Sequence, residues 1–186
     1  LDAWRAASSR DPDSGYAIRS ADLLFRQFPP GLPSFIPSVG ADRSVTRLPP
    51  ARQLAVLERR ARGPNVHAKL LYGLALQRID RPTSARRQYA EAARLAPHDP
   101  EALVADAVGR FDKAHPERAF GRLGPLTRRF PRAATVRFHL GLMLLWLGQV
   151  EEAKKQLRLA AEREESPLAR EAKRLLTRLE SVRKPR

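Results

Sequence analysis

The side chains that most often carry chemistry are few and scattered in this 186-residue chain. Its four histidines are His67, His98, His115 and His139, and no two stand at a spacing that would bring both to one metal ion. The chain has no cysteine, and therefore no thiolate ligand and no disulfide. We therefore expect no metal site and no cofactor, and we interpret His139, inside an apolar stretch, as a core or groove residue.

The acidic residues form no catalytic pattern either. Glu151 and Glu152 stand at a predicted helix start, where the helix dipole favours negative charge, so they need no acid–base role. No glycine-rich loop of the kind that cradles phosphate is present. The sequence therefore predicts a protein that is not an enzyme.

Basic residues dominate the composition. The net charge is +15, and residues 51–186 contribute 29 basic and 15 acidic groups, or +14. Arginine-rich solvated helix faces account for this, and binding of nucleic acid or an anionic membrane surface is the alternative function. The interleaved aromatics of single-strand binders are missing. The candidate basic patch consists of Arg86, Arg87, Arg94, Arg118, Arg122, Arg128 and Arg129.

A period of 34 residues organises the chain from Val66 to Pro167. Small residues recur at this spacing, in one series at Gly73, Ala107 and Gly141 and in another at Ala85, Ala119 and Ala153. A fixed period of about 20–50 residues is the sign of stacked structural repeats. We therefore expect one supersecondary unit per period.

Each unit is predicted to contain two helices. In the first unit, apolar residues around Gly73 form one helix, Pro82 stands at the first position of the next, and Pro97 ends it. The small side chains of Gly73 and Ala85 allow the two helices to approach closely, and Tyr89 is expected to fill the space beside them.

With these residues in register, the stretch resembles three tandem tetratricopeptide (TPR) repeats. The units lie at about 66–99, 100–133 and 134–167, and a capping helix follows at 167–182. The middle unit departs from the family at Asp106 and Arg110, where apolar residues are usual. The resemblance implies an all-α fold, a right-handed superhelix of antiparallel helix pairs, and a habit of binding other proteins. It implies no activity.

The resemblance also implies a binding face, lined by the first helix of each unit. Here that concave groove is mainly apolar, and the basic and amide clamp by which some relatives hold a chaperone's terminal carboxylate is missing. We expect a non-catalytic scaffold or adaptor that binds a peptide, a helix or a subunit of a larger assembly. The predicted groove residues are Leu70, Leu74, Val104, Val108, Phe111, Phe138, Leu142, Leu145 and Trp146.

The first 50 residues differ from the rest. A helical pattern spans 15–28, and six prolines then fall between 29 and 50, where they favour extended backbone. Leu32, Phe35 and Ile36 make this proline-rich extension too apolar for a solvated linker. We therefore divide the chain into an N-terminal helix with a docking arm, 1–50, and a helical domain, 51–186. The arm either covers its own groove or docks on another subunit.

The sequence does not determine a compartment. The longest strongly apolar run, near Leu140–Leu147, is too short to span a bilayer. The chain begins at Leu1 rather than Met, so a membrane anchor upstream stays open beside a cytoplasmic location.

Overall fold

The computed structural model describes residues 33–112, 114–162 and 166–181. Helices account for the regular structure of these ranges, which contain no strand. This confirms the all-α expectation for the described residues. The predicted helix at 15–28 and the arm residue Leu32 lie outside them, as does Val182 at the end of the predicted capping helix.

Nine helices follow one another in the described part of the chain. They are α1 (Arg43–Thr46), α2 (Pro50–Ala61), α3 (Val66–Arg78), α4 (Pro82–Leu95), α5 (Pro100–Val108), α6 (Glu117–Arg129), α7 (Ala134–Trp146), α8 (Val150–Ala161) and α9 (Pro167–Ser181). The pairs α3–α4, α5–α6 and α7–α8 fall inside the three units that the 34-residue period predicts.

Local sequence explains where these helices begin. The side-chain oxygen of Asn65 accepts a hydrogen bond from the backbone N–H of Ala68 at 2.9 Å, and the hydroxyl of Ser166 accepts one from Ala169 at 3.1 Å. Such caps satisfy N–H groups that have no partner within the first helical turn. Proline occupies the first position of α4 and α9, where its missing N–H costs nothing.

The helices pack in sequence order. Each of them contacts the next along the chain, and α3, α5, α7 and α9 also contact one another in succession. The first helices of the three pairs therefore lie side by side, while the second helix of each pair lies against the first helix of the following one.

Glycines set the closest approaches between helices. A Cβ at Gly73 would lie 2.8 Å from Cδ1 of Tyr89, and one at Gly109 would lie 2.7 Å from Cδ2 of the same ring. At Gly141 a Cβ would lie 2.8 Å from Cγ of Leu157. The predicted packing of Tyr89 beside Gly73 and the predicted close contact at Gly141 are confirmed, and Gly109 is an additional contact that the period does not indicate.

A charged cluster accounts for the unusual residues of the middle unit. Asp106 is buried on α5 and accepts hydrogen bonds from Nε of Arg110 at 3.0 Å and from Nη1 of Arg122, on α6, at 3.2 Å. A buried carboxylate needs such partners. The departure from apolar residues at these positions is thus matched by an ion pair that joins α5 to α6.

Two separate apolar clusters form most of the core. The first cluster runs from Leu54 on α2 to Met143 on α7 and includes Tyr89. The second cluster joins α7, α8 and α9 and consists of Phe138, Leu157, Ala160, Leu168 and Ala172. The first cluster also contains Phe35, which belongs to none of the helices.

Candidate functional site

A non-helical segment of the chain, residues 33–40, with a bend at Ser38 and Val39, packs against the helices. Pro33 and Pro37 keep it out of a helix, because proline cannot donate the helical hydrogen bond and disfavours helical backbone in the residue before it. Phe35 is the centre of the contact, with 0% of its surface exposed. The predicted docking arm therefore packs, at Phe35, on helices of its own chain.

Two rings enclose the Phe35 side chain. The ring of Tyr89, on α4, meets it edge-on at a centroid distance of 5.6 Å and an interplanar angle of 67°. The imidazole of His139, on α7, stacks on it at 5.3 Å and 17°. These are the offset and edge-to-face arrangements that aromatic pairs prefer. Phe35 thus occupies a slot whose walls come from different repeat units.

The backbone of segment 33–40 is held by two side chains. The N–H of Ile36 donates to Nε2 of His139 at 2.9 Å, and the N–H of Ser38 donates to Oε1 of Glu101, in the first turn of α5. Pro37, between Ile36 and Ser38, has no N–H to satisfy, so side chains of the helices accept both backbone donors of residues 36–38.

The partners of His139 determine its tautomer. Its Nδ1 lies 2.7 Å from the carbonyl oxygen of Thr135, which can only accept a hydrogen bond, so Nδ1 carries the proton. Its Nε2 lies against the N–H of Ile36, which can only donate, so Nε2 carries none. A protonated imidazole would place an N–H against the N–H of Ile36, and the neutral ring alone fits this contact.

Burial enforces the neutral state. His139 is 1% exposed, and its burial lowers the pKa from 6.5 to about 4, although the hydrogen bond to the backbone of Thr135 opposes the shift. The imidazole is therefore an acceptor toward segment 33–40 throughout the neutral pH range.

Tyr89 is held in place from several sides. Its hydroxyl donates to Oε1 of Gln77 at 2.8 Å, and its ring lies against Gly73 and Gly109. Burial raises its pKa, so the phenol stays protonated. These contacts fix the position of the ring that meets Phe35.

The structure brings some of the predicted groove residues to this site. Leu70, Val104, Val108 and Phe111 are buried in the same cluster as Phe35. The half-buried Trp146 lies next to Phe111, with ring centroids 6.5 Å apart. The half-buried members of the predicted groove are Leu74, Leu142, Leu145 and Trp146.

Phe138 lies elsewhere. It is 0% exposed and packs in the second cluster, between α7 and the helices that follow, and Leu142 and Leu145 pack against that cluster too. Helix α7 is apolar on nearly every side, so the periodicity does not show which residues turn toward the preceding helices. The residue that does meet the extended segment is its neighbour His139.

Sequence reasoning missed the roles of Tyr89 and His139 as the walls around Phe35. One signal was available, since a histidine inside a helix as apolar as α7 needs polar partners on both ring nitrogens. Its second partner comes from a residue 103 positions earlier, and no local pattern indicates that pairing. The other predicted arm residue, Ile36, turns outward and is 37% exposed.

The seven arginines of the candidate basic patch are all exposed, on α4 and α6. Three of them bind groups of their own chain. Arg118 pairs with Asp112 at 3.5 Å, Arg122 pairs with Asp106 at 3.2 Å, and Arg129 donates to the carbonyl oxygen of Pro97 at 2.8 Å. Arg94 lies near Glu91 and helps to lower the pKa of that carboxyl, so Arg86, Arg87 and Arg128 are the exposed members with the most freedom to meet an anion.

Neither metal-ligand clusters nor membrane-spanning helices occur in the described ranges. No three histidine, aspartate or glutamate side chains in these ranges converge on a point that could hold a metal ion. None of the helices described has the length and apolar character needed to cross a bilayer. No family model matches the sequence, and neither a curated protein nor a solved structure is significantly similar to it.

Proposed function

We propose that this protein is a non-catalytic scaffold of the TPR type, which binds extended segments of other proteins on the face where α4, α5 and α7 meet. The observation that supports this function is the way segment 33–40 packs on the helices. Phe35 is buried between Tyr89 and His139, and the backbone N–H of Ile36 donates to His139. Repeat proteins bind partners on extended concave surfaces, and side-chain pockets together with backbone hydrogen bonds are a common means of peptide recognition.

The order of helix contacts supports the repeat architecture. Successive helices pack as neighbours, and the first helices of the pairs also touch in succession, as a solenoid requires. The close contacts of Gly73 and Gly141 fall at equivalent places in their units. We propose that the pairs stack into a right-handed superhelix whose inner side is formed by α3, α5 and α7.

In this proposal segment 33–40 occupies the site of the partner peptide. A tethered segment acts at an effective concentration of the order of millimolar, so it competes strongly with a peptide supplied in solution. Exchange requires the buried Phe35 to leave its slot, while the contact at Ser38 lies near the surface and Ile36 and Val39 are exposed, Val39 by 62%. A partner that carries a similar segment would replace the internal one.

A peptide of sequence Pro-Ser-Phe-Ile-Pro-Ser-Val-Gly, which copies residues 33–40, tests the function. We expect full-length Phe35→Ala protein to bind this labelled peptide in a fluorescence anisotropy titration, since its own anchor is gone. The unchanged protein is expected to bind it at least tenfold more weakly, because its site is filled. Ile36→Ala is the matched control, since that side chain is partly exposed, and it should behave like the unchanged protein.

Absence of binding to Phe35→Ala protein that keeps its helical circular dichroism spectrum would contradict the proposed function. Equal binding to Phe35→Ala and to the unchanged protein would also contradict it, because the peptide would then occupy a different surface.

A further inference from the structure

We propose that the site selects partner segments by one aromatic anchor and by two backbone N–H groups, one and three residues after it. This inference rests on the proposed function and specifies its ligand. The ligand class is an extended peptide with an aromatic residue, then any residue except proline, then a residue that need not have an N–H, then again any residue except proline.

The aromatic requirement follows from the slot around Phe35. The ring is 0% exposed, with the edge contact to Tyr89 at 5.6 Å on one side and the stacked face of His139 at 5.3 Å on another. An aliphatic side chain fills such a flat space incompletely and makes neither ring contact. The ring of Tyr89 packs against Gly73 and Gly109, and its hydroxyl is bound by Gln77, so several contacts hold it beside the anchor.

The backbone requirement follows from the two acceptors. Nε2 of His139 carries no proton and is buried, and Oε1 of Glu101 is a carboxylate oxygen, so each accepts and cannot donate. A ligand without an N–H opposite His139 leaves a buried nitrogen unsatisfied. Proline is therefore excluded one and three residues after the anchor, and it is tolerated between them, where Pro37 stands.

The side chains that follow the anchor are selected weakly, and least at the position of Val39. Val39 is 62% exposed and meets solvent more than protein, whereas Ile36, at 37% exposed, still lies partly against the protein. The site thus has little side-chain selectivity beyond the anchor. We expect it to bind partners that share one aromatic residue in an extended apolar stretch.

Backbone-methylated peptides test this inference on full-length Phe35→Ala protein. Methylation of the nitrogen that corresponds to Ile36, or of the one that corresponds to Ser38, removes a donor and leaves the side chains unchanged. We expect a loss of at least tenfold in affinity for the first and a smaller loss for the second, whose site is nearer the surface. Methylation at the position of Val39 is the matched control and should change affinity less than threefold.

A leucine in place of the phenylalanine of the peptide tests the anchor, with an expected loss of at least tenfold. If Phe35→Ala does not keep its helical spectrum, Phe35→Leu, which keeps most of the volume, serves in the same titrations. Loss of all peptide binding overturns the proposed function and this inference together. Equal binding of the parent, methylated and leucine peptides overturns the inference alone.

Discussion

Two pairs of residues hold equivalent places in the repeats and differ in one side chain. Gly73 packs against Tyr89 in the first unit, and Gly141 packs against Leu157 in the third, with 16 residues between the members of each pair. Both pairs bring two helices together at a small residue. Only the aromatic pair offers a flat ring to a third group, and Phe35 lies against it.

The difference shows how one fold supports two kinds of core. The second cluster is filled by helices packing on helices, with Leu157 and Phe138 against α9. The first cluster leaves a slot that an extended segment completes, and it places His139 where a backbone N–H arrives. We infer that repeat geometry provides the frame and that a few side-chain identities decide where a peptide binds.

The largest expected effect comes from removing one buried phenylalanine from each cluster. Phe35→Ala and Phe138→Ala should each lower the free energy of unfolding by about 3–5 kcal/mol, because each leaves a cavity in a core. The peptide that copies residues 33–40 should raise the melting temperature of Phe35→Ala, since ligand binding stabilises the folded state. The same peptide should not raise the melting temperature of Phe138→Ala, because the Phe35 slot of that variant is still filled by its own segment. Equal rescue of both variants would remove the distinction between the clusters.

Acid should weaken the first cluster through His139. Its pKa is about 4 in the folded protein and 6.5 as a free side chain, so between these values the unfolded state binds more protons than the folded state. The free energy of unfolding therefore falls as the pH drops through this interval, and the total decrease is about 3 kcal/mol. Urea unfolding at pH 7 and pH 5 measures the slope.

His139→Gln is the control for this titration, because glutamine cannot titrate and still offers both an acceptor and a donor. We expect a smaller loss of stability between pH 7 and pH 5 in this variant. The same loss in both proteins would show that another group is responsible.

Glycine substitutions separate close helix contacts from open ones. Gly141→Ala should lower the free energy of unfolding, because the overlap with Leu157 costs about 1–3 kcal/mol and exceeds the gain in helix propensity. Gly121→Ala, on α6, has nothing within 4 Å of its new Cβ and should stabilise the protein by about 0.5–1 kcal/mol. Thermal unfolding of the two variants checks the opposite signs.

A small effect is expected from Tyr89→Phe. It removes the hydroxyl that donates to Gln77 and keeps the ring that meets Phe35. The loss of one hydrogen bond should lower the free energy of unfolding by about 0.5–1.5 kcal/mol. In Phe35→Ala protein, the same change should alter the affinity for the peptide that copies residues 33–40 by less than threefold. A tenfold loss of affinity would mean that the hydroxyl, and not the ring, forms the wall of the slot.

The smallest effect is expected from the exposed arginines of α4. Arg86→Gln with Arg87→Gln should change the free energy of unfolding by less than about 0.5 kcal/mol, because both side chains are exposed. Titration of labelled RNA and DNA into the unchanged protein tests the alternative function. Binding that falls steeply with salt, and that this double variant weakens, would favour nucleic acid as a partner.

The sequence predicted what depends on local spacing. Periodicity and residue size predict the helix pairs, the helices that begin at a proline, and the packing of Gly73 and Gly141. The site does not, because its central contact joins residues 103 positions apart in sequence. The cluster in which Phe138 packs could not be predicted either, because a helix that is apolar on nearly every side has no single buried face.

Detection of the hydrogen bond between the N–H of Ile36 and Nε2 of His139 tests the proposed binding site most directly. Nuclear magnetic resonance can detect it at neutral pH as a scalar coupling between these two nitrogens in ¹⁵N-labelled protein. We predict a coupling, with the imidazole proton on Nδ1. A proton on Nε2 and no coupling to Ile36 would contradict the proposal that this face of the helices binds an extended backbone.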